Sequence, residues 1–153
     1  MTFFLVRHSH AGRRSDWDGK DEARPLSPRG EAQSAAIRDR LAATSVGRMV
    51  SSPYVRCLQT LEPAADRFGL TVEADERLAE GADPDEALEL VLSLDPVNGV
   101  ACSHGDVIPA LLDRLAAMGM QTKGPLLHQK GSVWTIETDD GRPVRGRYRP
   151  PSA

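Results

Sequence analysis

Four short apolar runs, each separated from the next by a stretch with helical spacing, constrain this chain more than any other feature. The first is Phe3-Phe4-Leu5-Val6, the second centres on Met49-Val50, the third on Leu70-Thr71-Val72, and the fourth is Val100-Ala101-Cys102. Runs this short fit buried strands better than helices, although periodicity by itself does not decide the matter. Strand and helix alternate four times, which predicts a three-layer α/β/α fold with a mostly parallel central sheet. In such a sheet the carboxyl ends of the strands share one edge, and ligands bind there.

The stretches between the runs carry their own signals. Ser27-Pro28 reads as an N-cap followed by proline at the first helical position, opening a helix to about Ala43 with Ala36, Ile37 and Leu41 facing inward. Tyr54, Leu58, Leu61, Ala65 and Phe68 fall at steps of four and three and predict a second helix. Pro63 interrupts it, so a kink or restart is expected there. Leu88, Val91 and Leu92 mark a short third helix, and Ile108, Leu111, Leu112 and Leu115 a fourth. Beyond the loop Gly119–Gly131, the runs Ser132–Glu137 and Val144–Tyr148 flank Asp140-Gly141 and predict a C-terminal hairpin. Gly12–Pro25 has neither period and reads as a loop, of a length that is usually functional or mobile. At 153 residues the chain is expected to form a single domain, residues 1–153.

The polar residues gather where the strands end. Arg7 and His8 follow the first strand, and Ser51 and Ser52 the second, with Arg56 one turn into the next helix. Glu80 follows the third by a few residues, and Ser103 and His104 follow the fourth. All leave the same sheet edge, so residues remote in sequence can converge. Two arginines and two histidines at one point form an anion site, and the planar guanidinium fork suits phosphate oxygens.

The segments Leu5-Val6-Arg7-His8, Ser52-Pro53-Tyr54-Val55-Arg56, Arg77-Leu78-Ala79-Glu80 and Ser103-His104-Gly105, with Arg24-Pro25-Leu26 and Gly30, resemble the histidine phosphatase superfamily, also called phosphoglycerate-mutase-like. The short length is similar to the compact SixA-type branch. The run Lys130-Gly131-Ser132 before a tryptophan-bearing strand is similar to the phosphatase-like domain fused to some Nudix hydrolases. The resemblance implies a metal-independent phosphatase with no cofactor, in which His8 is phosphorylated and water then hydrolyses the phosphohistidine. It implies that Arg7, Arg56 and His104 hold the phosphoryl oxygens and that Glu80 protonates the leaving group, with Asp83 and Asp106 as fallback acids. One departure is Ser9, where the family usually has glycine or another small residue. Its hydroxyl could donate to phosphate or could crowd it.

Other readings stay open from the residues alone. His8, Ser9 and His10 with His104 could ligate a metal, but no acidic residue accompanies them at motif spacing and the arginines would repel a cation. Arg13, Arg14, Lys20 and Arg24 form either a solvated loop surface or a patch that steers an anionic substrate, with Trp17 among them available to stack. Lys130 reads as a surface lysine within reach of substrate phosphate, and Asp16, Asp18, Asp21 and Glu22 as ordinary loop acids. The cysteines Cys57 and Cys102 suggest neither a zinc site nor a disulfide framework. A formal net charge of −3 gives no general attraction to nucleic acid or to an anionic membrane. No apolar run has spanning or signal-peptide length, so a cytoplasmic protein is expected. The expected partner is a phosphorylated small molecule, a nucleotide or a phosphoprotein. The short interval Gly81–Gly99 suggests an open pocket, and the presence of Glu80 favours esters or anhydrides over a phosphohistidine substrate. The rival reading is a non-catalytic phosphate-binding or regulatory domain of the same fold.

Overall fold

A computed structural model of the chain describes residues 1–152. Strands β1 (Thr2–Arg7), β2 (Met49–Ser51), β3 (Val72–Ala74) and β4 (Val100–Ser103) alternate with helices α1 (Pro28–Leu41), α2 (Val55–Phe68), α3 (Pro84–Leu92) and α4 (Val107–Ala117). A short strand β5 (Gln121–Thr122) and the hairpin β6 (Val133–Asp139) and β7 (Arg142–Arg149) complete one sheet. Its order is β3-β2-β4-β1-β6-β7-β5. The first four strands in that order run parallel, β6 lies antiparallel to both β1 and β7, and β5 runs parallel to β7. The predicted three-layer, mostly parallel architecture is therefore the observed one. Among the described residues, no helix is long and apolar enough to cross a membrane.

Alternation along the strands divides the core. Phe3 and Leu5 of β1 pack with α3 and α4, whereas Phe4 and Val6 pack with α1 and α2. With both faces covered, each buried aliphatic or aromatic side chain contributes about 1.5–3 kcal/mol of transfer free energy. On α1 the inward face differs from the expected one. Ile37 and Leu41 are buried as predicted, but Gln33 and Ser34 are buried in place of Ala36.

Ser34 also bears on Pro63, where the expected restart does not occur and α2 is continuous from Val55 to Phe68. Proline lacks the N–H that would bond the Gln59 carbonyl four residues back. The Ser34 hydroxyl lies between the Gln59 and Thr60 carbonyls, at 3.0 and 2.7 Å, and shares its one proton between them, so the Gln59 carbonyl gains from the neighbouring helix part of the donor that Pro63 lacks. The hairpin turns at Asp140 and Gly141, whose φ values of 52° and 78° suit the tight turn that Asp-Gly favours.

Candidate active site

Register brings the candidate residues together. Arg7 of β1 pairs with Ser103 of β4, and Cys102 of β4 pairs with Ser51 of β2. The chain then continues the ladder for one more bond on each side, from the His8 amide to the Ser103 carbonyl and from the Ser52 amide to the Cys102 carbonyl. His8, Ser52 and His104 thus stand side by side, each one residue past the end of its strand. The His8 and His104 rings meet edge to face, with centroids 5.4 Å apart.

His8 is 5% exposed. Burial pushes its pKa down to about 3, and the nearby His104, Arg56 and Arg7 act in the same direction against the bond to Ser9. The ring is therefore neutral at physiological pH. Nδ1 lies 2.8 Å from the Ser9 carbonyl oxygen, which can only accept, so Nδ1 carries the proton and Nε2 keeps a free lone pair. Ser9 fixes this tautomer through its backbone. Its amide donates to Thr60 Oγ1 at 2.9 Å, its hydroxyl is buried without a partner, and it does not line the cleft beside His8.

The arginines are held from behind and open in front. Arg7 Nη1 donates to the His128 carbonyl at 2.9 Å, while its buried Nε has no partner. A Cβ on Gly105 would stand 2.6 Å from Arg7 Nη2, so glycine after His104 lets this guanidinium lie across the strand end. Arg56 is 1% exposed. It donates from Nη1 to the Asp21 carbonyl at 2.9 Å and from Nη2 to Asp21 Oδ2 at 3.1 Å, stacks over Tyr54, and leaves Nε unpartnered. Behind His8, the His104 Nε2 lies 2.8 Å from Ser52 Oγ, and its buried Nδ1 is free.

Asp21, read from sequence as an ordinary loop acid, is the hub of this arrangement. Its carboxylate accepts from Arg14 and Arg24 as well as Arg56, at 3.2, 3.1 and 3.1 Å. Arg56 and the hydrogen bonds from Arg24 and Arg56 hold its carboxyl below the usual range, against the opposing effect of burial. Arg24, expected to bind substrate, spends its Nη1 on the Ala11 and Gly12 carbonyls and so also fastens the loop, although it lines the cleft as well. The start of α1 presses on the same segment. A Cβ on Gly30 would stand 1.9 Å from the His10 carbonyl oxygen.

Together these residues floor a cleft of about 360 Å³ lined by Arg7, His8, Arg14, Arg24, Arg56, Glu80, Gly105, Asp106, His128 and Lys130. Glu80 reaches it at the rim, 3.2 Å from Arg14 Nη2 and 3.7 Å from Arg56 Nη2. Of the fallback acids, Asp106 lines the cleft and caps both α4 and the Gly81 amide, whereas Asp83 caps α3 and lies outside it. His10 is turned away to Ser27 Oγ at 2.6 Å. Among the described residues, no three His, Cys, Asp or Glu side chains are grouped to hold a metal ion. An electron-rich nitrogen beside unpartnered guanidinium N–H groups is the arrangement that in-line attack on a phosphoryl group requires.

Residues 3–83 match the family model of the histidine phosphatase superfamily, branch 1. The chain belongs to that superfamily. Within the histidine phosphatase match lie Arg7, His8, Arg56 and Glu80, while His104 and Lys130 come from beyond it. An 8-oxo-(d)GTP phosphatase of Mycolicibacterium smegmatis is 35% identical over 158 residues, covering 98% of this chain and 48% of that protein. An uncharacterised protein of Mycobacterium tuberculosis is 41% identical over 58 residues, 38% of this chain and 29% of its own length. The chain thus spans about half the length of the first of these curated relatives, and less of the second. Among solved structures, the protein histidine phosphatase SixA complexed with tungstate matches with a TM-score of 0.77 and 22% identity, over 100% of this chain and 97% of that one. A mycobacterial glucosyl-3-phosphoglycerate phosphatase complexed with VO3 matches with a TM-score of 0.70 and 18% identity, over 96% of each chain. At these identities the likeness is one of fold.

Proposed function

We propose that this chain is a phosphatase that passes a phosphoryl group from an ester or anhydride to His8 and then to water. The observation that carries the reading is the 2.8 Å bond from His8 Nδ1 to the Ser9 carbonyl, which leaves Nε2 as a nucleophile in a cleft of guanidinium groups. The Nε2 lone pair forms the N–P bond as the bond from phosphorus to the leaving oxygen breaks. Arg7, Arg56 and the free Nδ1 of His104 stabilise the charge on the phosphoryl oxygens. Nε2 of His104 is engaged with the Ser52 hydroxyl, so Nδ1, the nitrogen that faces no protein partner, is the one available to donate to the phosphoryl group. Glu80 supplies a proton to the leaving oxygen and recovers one from the attacking water, with Asp106 the neighbouring carboxylate. The positive charge is provided by the chain itself, so the step is metal-independent.

A small molecule or nucleotide suits the cleft better than a bulky partner surface would, because the loop of residues 12–25 and Glu80 rise at its rim and are tied by the Arg14 bridge. The test is turnover of an aryl phosphate in chelator by wild type and by His8→Ala, followed by a panel that includes nucleotides and phosphohistidine protein. Turnover that vanishes in His8→Ala supports the reading. Full activity in the variant removes His8 from the mechanism, and an inert wild type favours a phosphate-binding domain instead.

A further inference from the structure

Beside the His8 cleft lies a second, wider one of about 670 Å³, lined by Gly12, Arg13, Arg14, Ser15, Arg24 and Lys130. Arg14, Arg24 and Lys130 line both, so the two clefts form one groove with His8 at its inner end. No acidic residue lines the outer part. Arg13 and Lys130 have no carboxylate within ion-pair distance among the described residues, unlike Arg14 and Arg24, which share Asp21. Lys130 is half-buried, and its pKa is lowered by that burial and by the charges of Arg7, Arg24 and Arg56. Lys130 thus stands beside three arginines with no ion-pair partner of its own, an arrangement that favours a bound anion.

A charge balance indicates which anion. Arg7, Arg13, Arg14, Arg24, Arg56 and Lys130 face the groove, against the carboxylates of Glu80, Asp106 and, beneath them, Asp21. Three positive charges are left over. A phosphate monoester dianion neutralises two of them, whereas a terminal diphosphate carries about three negative charges at neutral pH. Arg14, Arg24 and Lys130 line both clefts, so an anionic group held in the outer one lies next to the group held in the inner one. A directly linked phosphoryl group meets that condition, and a remote carboxylate or phosphate does not.

We infer that Arg13 and Lys130 form a second anion subsite that selects substrates whose departing phosphoryl group is joined through an anhydride to another phosphoryl group. The inference rests on the reading of His8 as phosphoryl acceptor. In the reaction, the bond from the terminal phosphorus to the bridging oxygen breaks as His8 Nε2 bonds to that phosphorus. The leaving group is then a phosphomonoester whose negative charge Arg13 and Lys130 stabilise as it develops, an advantage present in the transition state as well as on binding.

The test is calorimetric binding of methylene diphosphonate and of methylphosphonate, neither of which can be hydrolysed, to wild type, Arg13→Ala, Lys130→Ala and the double variant. Wild type is expected to bind the diphosphonate tighter by at least about tenfold, and the double variant to lose most of that preference. Arg13→Ala and Lys130→Ala each account for part of the loss. A wild-type preference near unity overturns the inference, and so does a preference that survives in the double variant. Binding is read without turnover, so an inert wild type would remove the phosphatase reading while the anion subsite is still decided by these ratios.

Discussion

The state of His8 makes a prediction about stability that does not depend on any substrate. In the folded chain burial holds the imidazole pKa at about 3, while in the unfolded chain it takes its ordinary value of about 6.5. Above the higher value both states are neutral and pH has no effect through this group. Below it the unfolded chain binds a proton that the folded chain refuses, so stability falls as pH drops and the loss levels off only near the folded value. At about pH 5 the cost is about 2 kcal/mol, and the full difference is worth about 5 kcal/mol. Urea unfolding followed by circular dichroism at about pH 7 and about pH 5, in buffers free of phosphate, measures it. Wild type should lose about 2 kcal/mol more over that interval than His8→Gln, whose amide does not titrate. His10, whose pKa is also lowered by burial, loses stability in the same direction over this interval, but it does so in both proteins and cancels, whereas the lowered carboxyls of Asp21 and Asp75 titrate below it. Equal losses in the two proteins would refute the buried neutral imidazole, and with it the lone pair on Nε2.

Removing the carboxylate at Asp21 releases Arg56, so Asp21→Ala should lower kcat/KM for an aryl phosphate by about 30- to 100-fold, the equivalent of a lost charged hydrogen bond. A value within about twofold of wild type would mean that Arg56 is positioned without it. Ser34→Ala should cost about 1–3 kcal/mol of unfolding free energy, because it strips the donor from the Gln59 carbonyl. The same change in a Pro63→Ala background should cost less than about 0.5 kcal/mol, since the restored amide takes over that carbonyl, and equal costs would contradict the compensation. Glu80→Gln should slow hydrolysis of an alkyl phosphate by about 10²–10⁴ while sparing p-nitrophenyl phosphate, whose leaving group needs no proton. An equal loss on both would move the acid role elsewhere, with Asp106 next to be tried.

Much of this is legible in the sequence because it is local. The Ser27-Pro28 cap, the Asp-Gly turn and the apolar runs that end in Arg7-His8 and Ser103-His104 each carry their signal within a few residues, and parallel register does the rest. Three features escaped because their causes lie far away in the chain. Asp21 is one acid among several in a loop, and only the folded approach of Arg56, 35 residues distant, distinguishes it. Pro63 reads as a helix breaker until a hydroxyl on another helix supplies part of its missing donor. The strand β5 has two residues, one exposed and one half-buried, too few to show any alternation. Ser9 escaped in another sense. Its side chain drew attention where the family usually has glycine or another small residue, whereas its carbonyl, which every residue possesses, is what orients His8.

The central claim is that phosphoryl transfer passes through His8, and rapid quench of the protein with a ³²P-labelled phosphate donor tests it most directly. Label should appear on wild type in a form that survives alkali and is lost in mild acid, as expected of a phosphoramidate, and His8→Ala should carry none. Label that is lost in alkali, or that persists in His8→Ala, would contradict the claim.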